Sequence, residues 1–239
     1  MIKTVIRKIL TFSKLDLTKN LKYDRLTMQI MSSVIKSNSN CIDVGCHKGE
    51  MLDVMIKYAP NGNHMGFEPI PAMFNNLESK YGEIAKIYPF ALSDKTGETT
   101  FQYVKNAPAY SGLKRRKYDV KNPEIEEISV KLELLDNLIE DDFVVDLIKI
   151  DVEGAELGVL KGAKKTILKN KPIIIFEFGL GASEFYGTKP EDIFNFLVKE
   201  CGLQIYNLHD WVKGKASLSL QEFDKTYNQS LEYYFIAQK

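Results

Sequence analysis

The sequence contains few of the residues that stabilise secreted or metal-bound small proteins. Three cysteines occur in 239 residues, with neither the spacing of a zinc site nor the density of a disulfide scaffold. Basic and acidic side chains balance at 32 each, so no long-range field is available to attract nucleic acid. These absences predict a cytoplasmic protein and make nucleic acid an unlikely partner.

Long apolar segments are also missing. Runs such as residues 173–176 are far shorter than the roughly 20 apolar residues of a membrane-spanning helix. Arg7 and Lys8 interrupt what would be the hydrophobic part of a signal peptide, so export is not expected. Residues 2–10 instead predict a basic amphipathic helix that packs on the protein or contacts a membrane surface.

What the sequence does contain is typical of an α/β protein, with 44% apolar and 27% charged residues. From residue 41 onward, short apolar runs alternate with helical patterns, as in strand–helix–strand units around a parallel sheet. A lead-in helix is predicted at residues 23–35, and strands at 41–44, 64–68, 85–92, 144–150, 172–178, 203–208 and 233–237. We predict a helical lead-in at residues 1–39 and one domain at 40–239, with an insertion at about 104–129.

A glycine-bounded turn follows the first predicted strand, in the segment Cys41-Ile-Asp-Val-Gly-Cys-His-Lys-Gly-Glu50. Gly45 and Gly49 permit positive φ angles and the close approach of a cofactor, although a purely structural turn would use them too. Glu68 ends the next strand about 20 residues later, where a carboxylate can bind both ribose hydroxyls or simply face solvent. Together these features indicate a nucleoside-containing cofactor.

The glycine spacing separates two classes of cofactor. Gly45-x-x-x-Gly49 differs from the Gly-x-Gly-x-x-Gly turn that seats a pyrophosphate on a helix N-terminus. A cofactor without pyrophosphate therefore fits better. A nicotinamide-dependent oxidoreductase and a catalytically inactive cofactor-binding interaction module remain the alternatives.

Ionisable residues cluster where another buried strand ends, in Asp146-Leu-Ile-Lys-Ile-Asp-Val-Glu-Gly-Ala-Glu156. Charge is costly to bury unless paired, and open α/β sheets bind ligands at the carboxyl ends of their strands. Asp151 and Glu153 therefore indicate a functional site. Lys149 fits an internal ion pair or a direct role equally, and Glu156 fits a helix-start carboxylate that faces the helix dipole.

Several motifs follow one another along the chain: Asp43-Val-Gly-Cys-His-Lys-Gly49, Phe67-Glu-Pro69, Ala91-Leu-Ser-Asp94 and Ile148-Lys-Ile-Asp-Val-Glu-Gly-Ala-Glu156 followed by Val159-Leu-Lys-Gly162. Together they resemble the FkbM-type methyltransferase family. The resemblance implies a class I methyltransferase fold, which is a Rossmann-like, doubly wound, seven-stranded sheet, mostly parallel, with an antiparallel last strand. It also implies S-adenosylmethionine as cofactor and a hydroxyl acceptor on a sugar, glycan or specialised metabolite, so a small-molecule or glycan-linked partner.

The resemblance also assigns site residues by position. The methionine part of the cofactor would be surrounded by Asp43, Gly45, Cys46, His47 and Gly49. Glu68 would bind the ribose, and Ala91, Leu92 and Ser93 would lie beside the adenine. Asp151 would lie near the methyl group and the acceptor.

Methyl transfer to a hydroxyl needs alignment, exclusion of water and a group that takes the proton. Asp151, Glu153 and Glu177 are the candidates for that base or for orienting the acceptor. Alternatively, such carboxylates hold a magnesium or calcium ion that acidifies the hydroxyl. The basic run at residues 114–117 predicts a loop that pairs with phosphate or carboxylate on the acceptor, or else a solvated loop.

Overall fold

The computed structural model describes residues 18–239, so the amphipathic helix predicted at residues 2–10 lies outside the described residues. In chain order the helices and strands are α1 (Lys19–Val34), β1 (Cys41–Val44), α2 (Glu50–Tyr58), β2 (His64–Phe67), α3 (Pro71–Tyr81), β3 (Ala85–Tyr88), β4 (Phe90–Leu92), β5 (Gly97–Val104), β6 (Ile125–Glu133), β7 (Leu147–Ile150), α4 (Glu156–Gly162), α5 (Lys164–Asn170), β8 (Ile173–Glu177), α6 (Pro190–Phe194), β9 (Gln204–Asn207), α7 (Leu208–Val212), α8 (Leu220–Asn228) and β10 (Tyr234–Gln238). Within these residues, no helix is both long and apolar enough to cross a membrane.

The main sheet has seven strands in the order β3-β2-β1-β7-β8-β10-β9. Its strand pairs are parallel, except that β10 runs antiparallel to both β8 and β9. Every residue of β1, β2 and β7 is buried, which requires helices on both faces of the sheet. This arrangement confirms the predicted doubly wound α/β fold with an antiparallel last strand.

A second, three-stranded sheet has the order β4-β6-β5. The single strand predicted at residues 85–92 is therefore wrong, because β3 and β4 belong to different sheets. Pro89 separates them, and proline lacks the N–H that would continue the strand pairing. The predicted insertion at residues 104–129 begins at the last residue of β5 and ends inside β6, and residues 105–124 connect these two strands.

Helix ends depart from the predicted positions by a few residues. α1 begins at Lys19, after Thr18, whose side chain accepts a hydrogen bond from the Leu21 N–H. α6 begins at Pro190, whose fixed φ favours the first helical position, and the Asp192 side chain accepts a hydrogen bond from the backbone N–H of Lys189 at 2.8 Å.

Aromatic contacts join the first described helix to the last strand. The ring of Tyr23 on α1 lies 4.5 Å from that of Tyr233 and 5.1 Å from that of Tyr234, measured between centroids. The Tyr23 hydroxyl donates a hydrogen bond to Glu232. These contacts place α1 beside the start of β10, at the edge of the sheet where the parallel strands end.

Candidate active site

A cavity of about 630 Å³ opens at the carboxyl ends of β1, β2, β7 and β8. Its volume falls within the range of about 300–1,000 Å³ that is usual for small-molecule sites. Gly45, Glu68, Asp151 and Glu177 all line it. The two residues that indicate a nucleoside cofactor, Gly45 and Glu68, therefore face one space.

The two glycines of the turn serve different contacts. A Cβ atom on Gly45 would lie 2.0 Å from the carbonyl oxygen of Asp151, so glycine lets the ends of β1 and β7 approach. Gly49 has a φ of +76°, and a Cβ there would meet the hydroxyl of Tyr81 at 2.5 Å. Gly45 lines the cavity, whereas Gly49 lies behind the lining and shapes the turn.

Glu68 is held rigidly at the end of β2. Its two carboxylate oxygens accept hydrogen bonds from the backbone N–H groups of His47 and Ile70, both at 2.9 Å. The residue is only 4% exposed, and this burial raises its pKa to about 7. Each oxygen retains acceptor capacity, so the carboxylate suits the two hydroxyls of a ribose.

Asp43 and Lys149 are paired neighbours on β1 and β7. The Lys149 ammonium lies 3.5 Å from Asp43 and 3.3 Å from Asp151. Burial alone would lower the pKa of Lys149, but the carboxylates of Asp151 and Asp43 raise it above its usual value. Lys149 thus forms the internal ion pair considered above.

Asp43 also has a property of a ligand-binding group. It is fully buried and lines the cavity. Apart from the ion pair with Lys149, its carboxylate oxygens have no hydrogen-bond partner within residues 18–239. A buried carboxylate in this state is suited to accept a hydrogen bond from a ligand ammonium group.

The remaining expected cofactor residues divide into two groups. Ala91 and Leu92 on β4 line the cavity, as do Cys46 and His47 in the turn. Ser93 lies outside the lining, where its N–H donates to the Glu133 carbonyl at 2.9 Å. All the expected cofactor residues except Gly49 and Ser93 therefore line the cavity.

The three candidate catalytic carboxylates converge in the cavity, with one oxygen from each of Asp151, Glu153 and Glu177 lying within 4.8 Å of the others. Asp151 accepts a hydrogen bond from the Tyr234 hydroxyl at 2.5 Å and also interacts with Glu177. Burial opposes its ionisation, but Lys149 and these hydrogen bonds hold the pKa of Asp151 below its usual value.

Glu177 has the opposite electrostatic environment. Burial and the negative charge of Asp151 raise the pKa of Glu177 well above its usual value. In the Asp151–Glu177 pair, Asp151 therefore favours its ionised form and Glu177 its protonated form. Of the two, Glu177 has the higher pKa and is therefore the stronger base.

Glu153 forms an ion pair with Arg116 from the segment at residues 105–124. The Arg116 Nε donates to the Gly181 carbonyl at 3.1 Å, and its guanidinium lies 5.2 Å from the centre of the Tyr110 ring. Arg116 therefore closes the cavity wall with its charge already paired. Arg115 points away and pairs with Glu127, with 68% of its side chain exposed.

The loop after β7 has an unusual backbone that Glu156 supports. Glu153 has a φ of +58° and Gly154 a φ of +105°. The Glu156 side chain accepts hydrogen bonds from the N–H groups of Gly154 at 3.0 Å and Val152 at 3.3 Å. Glu156 thus fixes the loop that presents Glu153 to the cavity.

The carboxylate cluster does not fit a magnesium or calcium ion as it is arranged. Lys149 and Arg116 already neutralise Asp151 and Glu153, and the raised pKa of Glu177 favours its uncharged form. A divalent ion would have to displace two fixed cations from oxygens that it needs as ligands. We derive no step of the reaction through a metal.

Several other residues that line the cavity were not predicted from the sequence. Tyr110 and Tyr234 line the cavity, as do Asn20, Asp24 and Thr27 on α1. Tyr234 is 83 residues from Asp151 in the chain, so no local pattern joins the two. The polar residues at i, i+4 and i+7 on α1 are a signal that could have indicated a functional helix face.

The sheet order and the cavity at its strand ends define a class I methyltransferase. The model of the methyltransferase FkbM domain matches residues 43–205. The chain belongs to the FkbM methyltransferase family, and its methyl donor is S-adenosylmethionine. This result confirms the expected family and cofactor and decides against a nicotinamide-dependent oxidoreductase.

Individual relatives are distant. The 2-O-methyltransferase NoeI of Sinorhizobium fredii is 26% identical over 173 residues, which cover 64% of this chain and 68% of NoeI. The AMB antimetabolite synthetase AmbE of Pseudomonas aeruginosa is 25% identical over 180 residues, 60% of this chain but 8% of AmbE. The crystal structure of methyltransferase FkbM from Methylobacillus flagellatus superposes with a TM-score of 0.52 at 16% identity, covering 85% of this chain and 44% of that chain. That last similarity supports the fold alone.

Proposed function

We propose that the protein methylates a hydroxyl oxygen of a small-molecule or glycan-linked acceptor, such as a sugar or a specialised metabolite. The observation that carries the proposal is that Glu177, paired with Asp151, shares one cavity with Gly45 and Glu68. A hydroxyl acceptor needs a proton acceptor at that place. The similarity to a 2-O-methyltransferase supports oxygen as the methylated atom.

The proposed cofactor contacts follow from the lining. Glu68 binds the ribose hydroxyls, and Asp43 accepts from the methionyl ammonium group. Gly45, Cys46 and His47 surround the methionine part, with Gly49 shaping their turn. Ala91 and Leu92 lie against the adenine, and Ser93 anchors β4 to β6 beside them.

S-adenosylmethionine, when bound, supplies a methyl group activated by a positively charged sulfur. The acceptor oxygen would take this methyl group while the sulfur keeps the bonding electron pair, so the chain's own residues need to align the acceptor and accept its proton. The hydroxyl proton passes to the Glu177 carboxylate. Asp151 stays ionised and, with Glu153, orients the acceptor hydroxyl toward Glu177.

The experiment compares Glu177→Gln with the wild-type protein. A general base contributes about 10²–10⁴-fold, so turnover should fall by that order while calorimetric affinity for S-adenosylhomocysteine is retained. Wild-type turnover should also rise with pH as Glu177 loses its proton. Glu191→Gln, on an exposed residue outside the cavity lining, is the matched control and should leave turnover unchanged.

Radiolabelled S-adenosylmethionine incubated with glycan and metabolite extracts supplies the acceptor for these assays. Unchanged turnover in Glu177→Gln would remove Glu177 from the base role. Binding of S-adenosylhomocysteine without transfer to any oxygen acceptor would favour the interaction module over the enzyme. Failure to bind S-adenosylhomocysteine would overturn the proposal as a whole.

A further inference from the structure

The cavity extends beyond the space that a cofactor bound at Gly45 and Glu68 would fill. The sheet order places β2 three strands from β8, a distance of roughly 14 Å at about 4.8 Å per strand. The part beyond β7 is bounded by α1 and by the turn Pro108–Tyr110. The first residues after β8 and the residue just before β10 complete its wall. We call this part the acceptor half and define it by Asn20, Asp24, Thr27, Tyr110, Glu177 and Tyr233.

One face of α1 supplies polar groups to this half. Asn20, Asp24 and Thr27 are spaced so that they lie on the same side of the helix. Asn20 is exposed, Asp24 half-buried and Thr27 buried, so they run from the mouth of the cavity to its floor. A helix face that packs inward is normally apolar, and this polar stripe therefore indicates contact with a ligand.

The hydroxyl group of Thr27 is a second, independent indication that a ligand binds here. The residue is 3% exposed, lines the cavity, and its hydroxyl has no hydrogen-bond partner among residues 18–239. Buried hydroxyls are rarely left unsatisfied in folded proteins. A ligand hydroxyl or ammonium that reaches the floor of the acceptor half would satisfy it.

The charges around the acceptor half are predominantly negative. Asp24 and Asp119 line it alongside Asp151 and Glu153, and Glu177 adds a carboxyl group that favours its uncharged form. Two of the three lining lysines and arginines are already in ion pairs, Lys149 with Asp43 and Asp151 and Arg116 with Glu153, and the third, Lys48, lies in the turn that follows β1. An anionic acceptor would meet repulsion there and would have to break one of these pairs to find a cation.

We propose that the acceptor half selects a group rich in hydrogen-bond donors, a neutral polyol or an ammonium-bearing one, and rejects phosphate and carboxylate groups. The inference rests on the proposed function and deepens it by naming the substrate class. It also replaces the expectation that the basic run at residues 114–117 pairs with an acceptor anion. Arg116 is committed to Glu153, and Arg115 faces the surface.

The test uses four probes that share one pyranose ring and differ in charge. They are glucose, glucosamine, glucuronic acid and glucose 6-phosphate, added to the full chain saturated with S-adenosylhomocysteine. Saturation-transfer NMR titrations give the dissociation constants. We expect glucose and glucosamine to bind at least tenfold more tightly than the two anions.

Variants on α1 assign the effect to the acceptor half. Thr27→Val removes the unpartnered hydroxyl at nearly constant volume and should weaken glucose and glucosamine about three- to tenfold. Asp24→Asn should weaken glucosamine more than glucose if an ammonium is preferred, and both alike if a polyol is. Asp224→Asn on the exposed face of α8 should change neither.

Equal or tighter binding of the anions, or no discrimination among the four probes, would overturn the inference. So would wild-type affinities in both Thr27→Val and Asp24→Asn. Calorimetry with S-adenosylhomocysteine on the same samples separates this failure from that of the proposed function. If the cofactor product binds and the probes do not discriminate, only the substrate class is wrong.

Discussion

A single buried carboxylate, Glu68, combines a proposed contact to the cofactor with an effect on stability. Two backbone N–H groups stabilise its ionised form, yet burial outweighs them and raises its pKa from 4.5 to about 7. The folded protein therefore holds this proton more tightly than the unfolded chain does. The contribution of Glu68 to stability is most favourable below pH 4.5 and declines as pH rises through about 7.

Replacing Glu68 by Gln should separate the two effects. The rise in pKa corresponds to a penalty of up to about 3 kcal/mol once the folded protein must ionise Glu68. Glutamine also gives up one of the two backbone N–H bonds at every pH, so the pKa effect appears as a pH dependence: in urea unfolding, the stability of Glu68→Gln relative to wild type should rise by about 2–3 kcal/mol between pH 5 and pH 8. Its affinity for S-adenosylhomocysteine should fall at least tenfold, because glutamine offers the ribose one acceptor in place of two.

Glu83→Gln, on an exposed residue after α3, is the control and should match wild type at both pH values. A stability gain of the same size at pH 5 and pH 8 would show that Glu68 does not titrate as described. Undiminished cofactor-product affinity would remove Glu68 from the ribose.

At the scale of elements, the site depends on how closely the ends of β1 and β7 approach. The Asp151 N–H donates to the Val44 carbonyl at 3.0 Å. The Asp151 carbonyl oxygen lies directly against the Cα of Gly45, which has a φ of +83°. This contact aligns the turn at residues 45–49 with Asp151, the ionised member of the Asp151–Glu177 pair.

Gly45→Ala should therefore lose more stability than its backbone angle alone explains. Left-handed backbone costs a non-glycine residue about 1–2 kcal/mol, and overpacking adds about 1–3 kcal/mol. Gly187→Ala is the matched control, since Gly187 has a φ of +73° but open space around it. Urea unfolding should show Gly45→Ala as the less stable variant by about 1–3 kcal/mol, and equal losses would exclude the close contact.

At the scale of the whole molecule, segments far apart in sequence build the cavity. Arg116 comes from the connection between β5 and β6, Glu153 from the loop after β7, and Gly181 from the segment after β8. Arg116 joins all three. With side-chain exposures of only 12% and 15%, Arg116 and Glu153 form a largely desolvated pair.

Replacing one member of this ion pair should lower the free energy of unfolding more than replacing both members. Arg116→Met leaves Glu153 buried without its cation, and we expect a loss of about 3 kcal/mol in urea unfolding. Arg116→Met combined with Glu153→Gln should recover most of that loss. Residues 105–124 should become more sensitive to limited proteolysis in the single variant, because the segment loses its link to the cavity wall.

Arg115→Met is the matched control, because it makes the same substitution at the neighbouring, exposed arginine. Its exposed pair with Glu127 should contribute less than about 1 kcal/mol. Similar losses in Arg115→Met and Arg116→Met would contradict the special position of Arg116. A double variant as unstable as the sum of its singles would show that Arg116 and Glu153 do not interact.

Much of the fold was predictable because its signals are local. The strands at residues 41–44, 64–68 and 172–178 were found within one residue at each end, since buried parallel strands are short, apolar and bounded by turns. The carboxyl ends of parallel strands share one edge, which is why Gly45, Glu68, Asp151 and Glu177 meet in one cavity. The prediction failed at Pro89, where the chain leaves one sheet for another.

The sequence by itself determined the strand–helix alternation, the glycine turn and the acidic residues at the strand ends, because each depends on a few neighbouring residues. The tertiary structure alone decided how the charges are distributed among them. Lys149 pairs with Asp43 across adjacent strands, Tyr234 reaches Asp151 from 83 residues away, and Arg116 neutralises Glu153. These partnerships set which carboxylate keeps its proton, and they depend on burial and distances that exist only after the whole chain has packed.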